Sequence, residues 1–282
     1  MRAWIALAAT VAAIDAAAQT VEFVIVEQQQ SYTQTDNSTV QLRANPWVFR
    51  VAIDGSNLSG MAAPTMTSPG GTGATTLTYG FDVDTSWGRQ SDFSSQAALN
   101  AAYFSGDYSI TVLGQVVSPI SVTGGTFPPP PPIASNLSGG TIIGGILTWN
   151  VGQALTITLT GSGFDHTGIW VSGSGGSYYD QGLESFGVST LSLTVPAFSL
   201  TSGQSYDVEL SFSDIVGGAT TTAFNGTGGM SAAQYAGVYT SHTKFTINAV
   251  PEPATYAMFA GLAVLGCSLL RRRSRRVSRG SV

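Results

Sequence analysis

Residues 155–160 read Leu-Thr-Ile-Thr-Leu-Thr, a strict alternation of apolar and polar side chains. A period of two puts the three apolar side chains on one face of a β-strand and the three threonines on the other. The pattern recurs in residues 191–195 (Leu-Ser-Leu-Thr-Val) and 47–53 (Trp-Val-Phe-Arg-Val-Ala-Ile). Strands with one apolar and one polar face are typical of antiparallel sheets. The sequence therefore predicts an all-β fold.

Composition supports strands and argues against a nucleic-acid partner. The chain has 282 residues, of which 43% are hydrophobic and only 10% are charged. Most of the basic residues lie at the two ends, so residues 19–250 hold four basic and 14 acidic residues. A segment this acidic offers no basic surface that could neutralise phosphates.

The N-terminus has the features of a secretory signal peptide. A positive residue, Arg2, precedes an apolar run over residues 3–14, and Ala16 and Ala18 form an A-x-A cleavage site. The alternative, an N-terminal membrane anchor, needs a longer apolar run than this one. We therefore predict a signal peptide over residues 1–18, export by the Sec route and cleavage by signal peptidase.

The C-terminus has three consecutive parts. Val250, Pro251, Glu252 and Pro253 are followed by an uncharged apolar stretch, residues 254–270. The stretch is long enough for a short transmembrane helix. An arginine cluster comes next and predicts a cytoplasmic end; its members are Arg271, Arg272, Arg273, Arg275 and Arg276. An ordinary single-pass anchor would have the same features.

This tripartite pattern, residues 250–276, resembles the PEP-CTERM sorting signal of Gram-negative bacteria. The resemblance implies an integral-membrane protease, exosortase, as the processing partner. It also implies that the span contacts the membrane only until processing, after which the protein reaches the cell surface or the extracellular space. Cys267, the only cysteine, lies in the span. It is expected to be an apolar filler, with lipidation as the alternative.

A run of five prolines, Pro128–Pro132, divides the exported part of the chain. Such a run favours polyproline II and acts as a stiff spacer. The flanking pieces, residues 19–127 and 133–249, each have the size of one β-sandwich. Tyr108 and Tyr206 each follow a turn glycine at the start of a strand, as corner tyrosines of immunoglobulin-like domains do. We predict two immunoglobulin-like β-sandwich domains.

Residues suited to catalysis or metal binding are few. The chain has two histidines: His166 follows Asp165 in a glycine-flanked segment that is typical of a loop, and His242 is close to the last strand. No nucleophile elbow and no H-E-x-x-H motif occurs. Asp82 and Asp84 resemble the start of a calcium loop, but the required glycine is missing, so a shared solvent face explains them. No catalytic residue, metal site or cofactor is predicted.

Aromatic residues of the second piece are the remaining candidates for binding. Trp170 is out of phase with its apolar neighbours, and Tyr178 and Tyr179 follow a glycine-rich loop. Exposed together, they would form a carbohydrate platform with an exopolysaccharide as partner. Otherwise they fold back onto the sandwich. The sequence thus predicts a non-catalytic structural or adhesive protein of the cell surface or extracellular matrix. The alternative is a carbohydrate-binding module that acts through exposed loop aromatics of the second piece.

Overall fold

The computed structural model describes residues 20–71, 73–80, 86–116, 119–173, 180–220, 234–252 and 264–265. This part of the chain is dominated by strands, as predicted, with one short helix, α1 (Gln96–Ala102), and a 3₁₀ turn, Leu58–Gly60. The strands are β1 (Thr20–Gln34), β2 (Val40–Ser56), β3 (Thr65–Thr67), β4 (Ala74–Thr76), β5 (Thr78–Tyr79), β6 (Trp87–Phe93), β7 (Gly106–Val112), β8 (Gln115–Val116), β9 (Ile120–Val122), β10 (Ala134–Asn136), β11 (Ile142–Ile143), β12 (Ile146–Asn150), β13 (Leu155–Thr160), β14 (His166–Gly173), β15 (Asp180–Phe186), β16 (Thr190–Val195), β17 (Ser205–Thr220) and β18 (Gln234–Val250).

Within the described residues, one sheet contains strands from both halves of the chain. Its main path is β15-β14-β17-β18-β1-β2-β6-β5, with β12 also paired to β18 and β11 to β12. Two smaller sheets complete the fold. One has the order β10-β13-β16, and the other has the order β4-β3-β7-β8 with β9 beside β7.

The last strand, β18, is shared by the two halves. Along one edge it pairs with β17, from Thr220↔Gln234 to Ser205↔Asn248. Along the other edge it pairs in parallel first with β1, from Phe23↔Gln234 to Thr33↔Lys244, and then with β12, from Ile146↔Thr246 onwards. Parallel strands need a long connection, and the connection between β1 and β18 comprises residues 35–233.

The alternating segments place their apolar faces in two hydrophobic clusters. Phe49, Val51 and Ile53 of β2 lie in the first cluster, and Trp47 packs against it. The apolar residues of 155–160 and 191–195 lie in the second. The predicted strand faces are therefore confirmed. Both clusters draw on β18: Tyr239 contributes to the first, and Phe245, Ile247 and Ala249 contribute to the second.

Polar contacts separate the two clusters at the proline run. Ser241 of β18 donates a hydrogen bond to the carbonyl of Pro128 (2.7 Å), and both Pro128 and Pro132 are buried. The fully buried Gln34 of β1 binds both backbone groups of Ala134, at 3.0 and 3.4 Å. The run has no N–H donors, but the Pro128 carbonyl accepts this hydrogen bond, so the run contacts the main sheet as well as linking the two clusters.

The division into domains 19–127 and 133–249 remains a prediction. Tyr239, from the second piece, lies in the first cluster, and the main sheet continues across the boundary through the pairing of β1 with β18. Independent folding of the two pieces remains a prediction.

The two predicted corner tyrosines are buried at the starts of β7 and β17. The Tyr108 hydroxyl donates to the carbonyl of Phe104 (2.9 Å), and the Tyr206 hydroxyl accepts from the backbone N–H of Thr201 (2.7 Å). Both rings are fully buried. This local geometry matches that of a tyrosine corner, while the immunoglobulin-like assignment of each piece remains a prediction.

The two terminal signals fall mostly outside the described residues. This applies to the predicted signal peptide, residues 1–18, and to the span 254–270 apart from Val264 and Leu265. In the part of the chain that the structure describes, no helix is long and apolar enough to cross a membrane.

Gly237 of β18 provides a test of how closely the smaller sheets pack on the main sheet. A Cβ at Gly237 would overlap the carbonyl oxygen of Ser121 in β9, and one at its partner Gly217 would lie 2.6 Å from the same atom. We expect Gly237→Ala to lower the free energy of unfolding by roughly 1–3 kcal/mol through overpacking, measured by urea denaturation of the whole chain. The control is Gly73→Ala, whose Cβ meets no atom within 4 Å. Equal midpoints for the two variants would contradict this packing.

Candidate functional site

The predicted sorting motif begins where β18 ends. Val250 is the last residue of β18 and pairs with Asn150 of β12, and its carbonyl accepts a hydrogen bond from the N–H of Val151 (3.0 Å). Glu252 lies against the backbone of Gly152, where a Cβ would overlap its carboxylate. The motif therefore follows the folded sheet directly. Pro253 and the arginine cluster lie outside the described residues.

A second candidate site is a groove on the face of the main sheet that points away from the hydrophobic clusters. It has a volume of about 1630 Å³ and crosses strands of both halves of the chain. We call it the sheet groove. The residues that matter here are Glu27, Arg50, His166, Trp170, Glu184, Glu209, Ser211, Ser213, Thr240, His242 and Lys244.

Trp170 lies on the floor of the sheet groove. It is part of β14 rather than of a loop, and it is half-buried. Its indole lies across two glycines: a Cβ at Gly182, its cross-strand neighbour, would be 2.5 Å from Cδ1, and one at Gly168 would overlap the six-membered ring. One side of the indole thus rests on backbone, while the residue lines the groove.

Glu209, beside Trp170 on β17, lies between His242 and Lys244. His242 Nε2 lies 3.3 Å from Glu209 Oε2, and Lys244 Nζ donates to Oε1. Burial alone would raise the pKa of Glu209. The hydrogen bonds and positive charges of His242 and Lys244 outweigh burial and lower this pKa from 4.5 to about 2. The carboxylate is therefore charged and fixed in position.

A similar pair lies at the outer end of the groove. His166 Nε2 is 3.3 Å from Glu184 Oε2. The hydrogen bond from His166 is the main cause that lowers the pKa of Glu184; burial opposes it, and the charge of His166 and a hydrogen bond from Trp170 add to it. Glu184 therefore accepts hydrogen bonds from both the Trp170 indole and the His166 imidazole.

A third carboxylate lies at the junction of the two halves. Glu27 of β1 is only 5% exposed, accepts a hydrogen bond from the Thr240 hydroxyl, and lies 3.4 Å from Arg50 Nη1. Thr240 is also 3.1 Å from the hydroxyl of Ser213. Because β1 is next to β18, side chains from residues 27 and 240 form one network.

The structure changes the interpretation of several predicted candidates. His166 opens a strand, β14, although its glycine-flanked segment predicted a loop; Asp165 accepts the backbone N–H of Ile215 (2.9 Å), which fixes this strand start. Trp170 is also a strand residue.

Tyr178, Tyr179, Asp82 and Asp84 lie outside the described residues, as do Ala16, Ala18 and Cys267.

Glu209, Ser211, Glu27 and Lys244 were not candidates from the sequence. For two of them the sequence does contain a pattern. Residues 205–212 alternate between polar and apolar side chains, which puts Glu209 and Ser211 on the face opposite Val208 and Leu210. Alternation identifies the polar face of each strand, but it does not show which strands are neighbours.

The C-terminus of the chain matches a known family of sorting motifs. A model of the PEP-CTERM protein-sorting motif matches residues 249–276, which confirms the resemblance. The chain thus carries a PEP-CTERM sorting motif at its C-terminus, and this motif indicates an exported protein that exosortase sorts to the cell envelope or surface. No curated protein matches the chain.

Two solved structures show distant likeness. A tetra-tandem repeat in the extending region of a large adhesion protein is 16% identical, with a TM-score of 0.22, over 79% of this chain and 50% of that one. The chain thus spans half the length of that repeat protein. The human OSCAR ligand-binding domain is 8% identical, with a TM-score of 0.20, over 77% of this chain and 97% of that one. TM-scores this low carry no argument about fold or role.

The lowered pKa of Glu209 predicts a pH dependence of stability. A carboxyl group with a depressed folded-state pKa stabilises the fold fully above its unfolded value, and this contribution is lost as pH falls through the folded value. We expect the stabilisation by Glu209 to be lost between about pH 4.5 and about pH 2. Glu209→Gln should flatten the fall of the thermal midpoint over this range.

The matched control is Glu22→Gln, since Glu22 accepts a hydrogen bond from the Ser56 hydroxyl (2.9 Å) and has no ion pair among the described residues. Thermal midpoints of the whole chain, measured by circular dichroism across this pH range, give the comparison. A Glu209→Gln profile parallel to that of the unsubstituted chain would show that the carboxylate does not stabilise the fold in this way.

Proposed function

We propose that the chain is a non-catalytic structural or adhesive protein of the cell surface or extracellular matrix. In this proposal the Sec route exports it, signal peptidase removes residues 1–18, and exosortase processes the C-terminal motif. The observation that carries the proposal is the position of the motif, which follows the last strand of the main sheet without a linker. The folded body is then what reaches the surface.

The environment of the two histidines supports a non-catalytic role. His166 and His242 each lie 3.3 Å from a glutamate on the same sheet face, and Lys244 shares one of these carboxylates. In a Ser-His-Asp triad the imidazole binds a carboxylate through Nδ1 and faces the nucleophile with Nε2, whereas here Nε2 of both histidines contacts the glutamate.

The alternative role is carbohydrate binding through Trp170, Tyr178 and Tyr179. Its support is that Trp170 lines a groove instead of a hydrophobic cluster. This observation moves the candidate surface from the loops of the second piece to the shared sheet.

Cell fractionation tests the sorting part of the proposal. We expect the unsubstituted chain to lose its C-terminal tail and to appear in the surface or medium fraction, as judged by intact mass. Replacement of Pro251, Glu252 and Pro253 by alanine should leave a full-length chain in the inner membrane. Pro119→Ala, at an exposed proline outside the motif, is the control and should be processed normally.

Glu252 contacts Gly152, so its replacement by alanine could affect folding as well as sorting. A second variant separates these two effects. Replacement of Arg271, Arg272 and Arg273 by serine changes only the far end of the motif and should also block processing. Normal processing of both variants would show that the motif does not direct the protein.

A further inference from the structure

We propose that the sheet groove binds a neutral oligosaccharide, with Trp170 as the stacking platform and Ser211 as a hydrogen-bonding partner. The inference names a partner class for the proposed surface role and rests on that role for its biological setting. Four observations carry it: an aromatic floor, an unpartnered hydroxyl, fixed and neutralised carboxylates, and the extent of the groove.

The aromatic floor is Trp170. Its indole is supported from below by Gly168 and Gly182, and Glu184 binds the indole N–H. A side chain larger than hydrogen at either glycine would lift the ring off the sheet. The ring is thus held in one orientation before any ligand arrives, which lowers the entropic cost of stacking. A flat apolar ring beside polar groups suits the apolar face of a sugar ring.

The unpartnered group is the hydroxyl of Ser211. Ser211 lies between Gly168 and His242 in the sheet register, and its side chain lines the groove. The residue is 4% exposed, and its Oγ has no hydrogen-bond partner in the described part of the protein. A buried hydroxyl without a partner carries a desolvation cost. The Oγ is enclosed in the free protein, so a ligand hydroxyl that displaces a neighbouring side chain and binds there would remove this cost.

The charged groups of the groove favour a neutral ligand. Glu209 is paired with His242 and Lys244, Glu27 with Arg50 and Thr240, and Glu184 with His166. Each carboxylate keeps free lone pairs in a fixed direction, and Lys244 and Arg50 balance the charges of Glu209 and Glu27. Such groups accept hydrogen bonds from sugar hydroxyls, and their balanced charge gives an anionic chain no advantage over a neutral one.

The groove is long enough for several sugar rings. Its lining extends from Trp170 on β14 across β17, β18, β1 and β2 to Gln90 on β6. Five inter-strand spacings of about 4.8 Å give a width of about 24 Å along the sheet. The groove exists only because β1 pairs with β18, since neither half of the chain contains all of the lining residues.

Isothermal titration calorimetry of the full-length chain tests the proposal directly. The chain is kept in a detergent without sugar groups, and the probes are cellohexaose, chitohexaose, maltohexaose and mannohexaose. We expect saturable binding of at least one probe. Trp170→Ala should weaken it roughly tenfold or more, and Trp170→Phe less than that. Phe198→Ala removes an aromatic residue that is 71% exposed and is absent from the groove lining, and it should leave affinity unchanged.

Ser211→Ala separates binding from folding. Because the hydroxyl has no partner in the free protein, its removal should leave the thermal midpoint unchanged or slightly higher. The same variant should weaken binding of the probe several-fold. A fall in stability with unchanged affinity would show that Ser211 has a structural role only, and that part of the proposal would be wrong.

Other outcomes separate this inference from the proposed function. Absence of binding by all four hexaoses, in a chain that is sorted normally, would overturn the inference and leave the surface role intact. Tighter binding of an oligogalacturonate than of any neutral probe would also overturn it. Cleavage of a bound probe, detected by mass spectrometry, would contradict the non-catalytic role while supporting the groove as the binding site.

Discussion

The pairing of the last strand, β18, with strands from both halves is the interaction on which the rest of the structure depends. One edge of β18 is occupied by β17, and the other is divided between β1 and β12. Without β18, three strands would present unpaired edges, and both hydrophobic clusters would lose side chains. The contact between positions 23 and 234 closes a loop of most of the chain, so it carries a large loop-closure entropy.

This arrangement also places both candidate functional features. The sorting motif leaves the sheet from the end of β18, so the segment that completes the sheet and the segment that directs sorting are adjacent. The sheet groove lies over β1 and β18, where Glu27 and Thr240 meet. The polar face of a sheet this wide can therefore carry a binding surface while its other face holds the two clusters.

Local patterns in the sequence predicted local structure well. Alternation in residues 47–53, 155–160 and 191–195 gave the correct buried faces, and Trp170, out of phase with its neighbours, lies on the opposite face. The parallel pairing of β1 with β18 was not predictable, because a period of two does not identify the neighbouring strand. The docking of the proline run depends on Ser241, more than a hundred residues away.

Native-state hydrogen exchange of the full-length chain, followed by mass spectrometry at increasing urea concentration, tests the central role of β18 most directly. If β18 joins the two halves, then the amides of β1, β12 and β18 open in one cooperative unit, and their exchange converges on the same free energy of unfolding. Exchange of β1 at a clearly lower free energy, while β12 and β18 remain protected, would contradict the account and would indicate two pieces that fold independently.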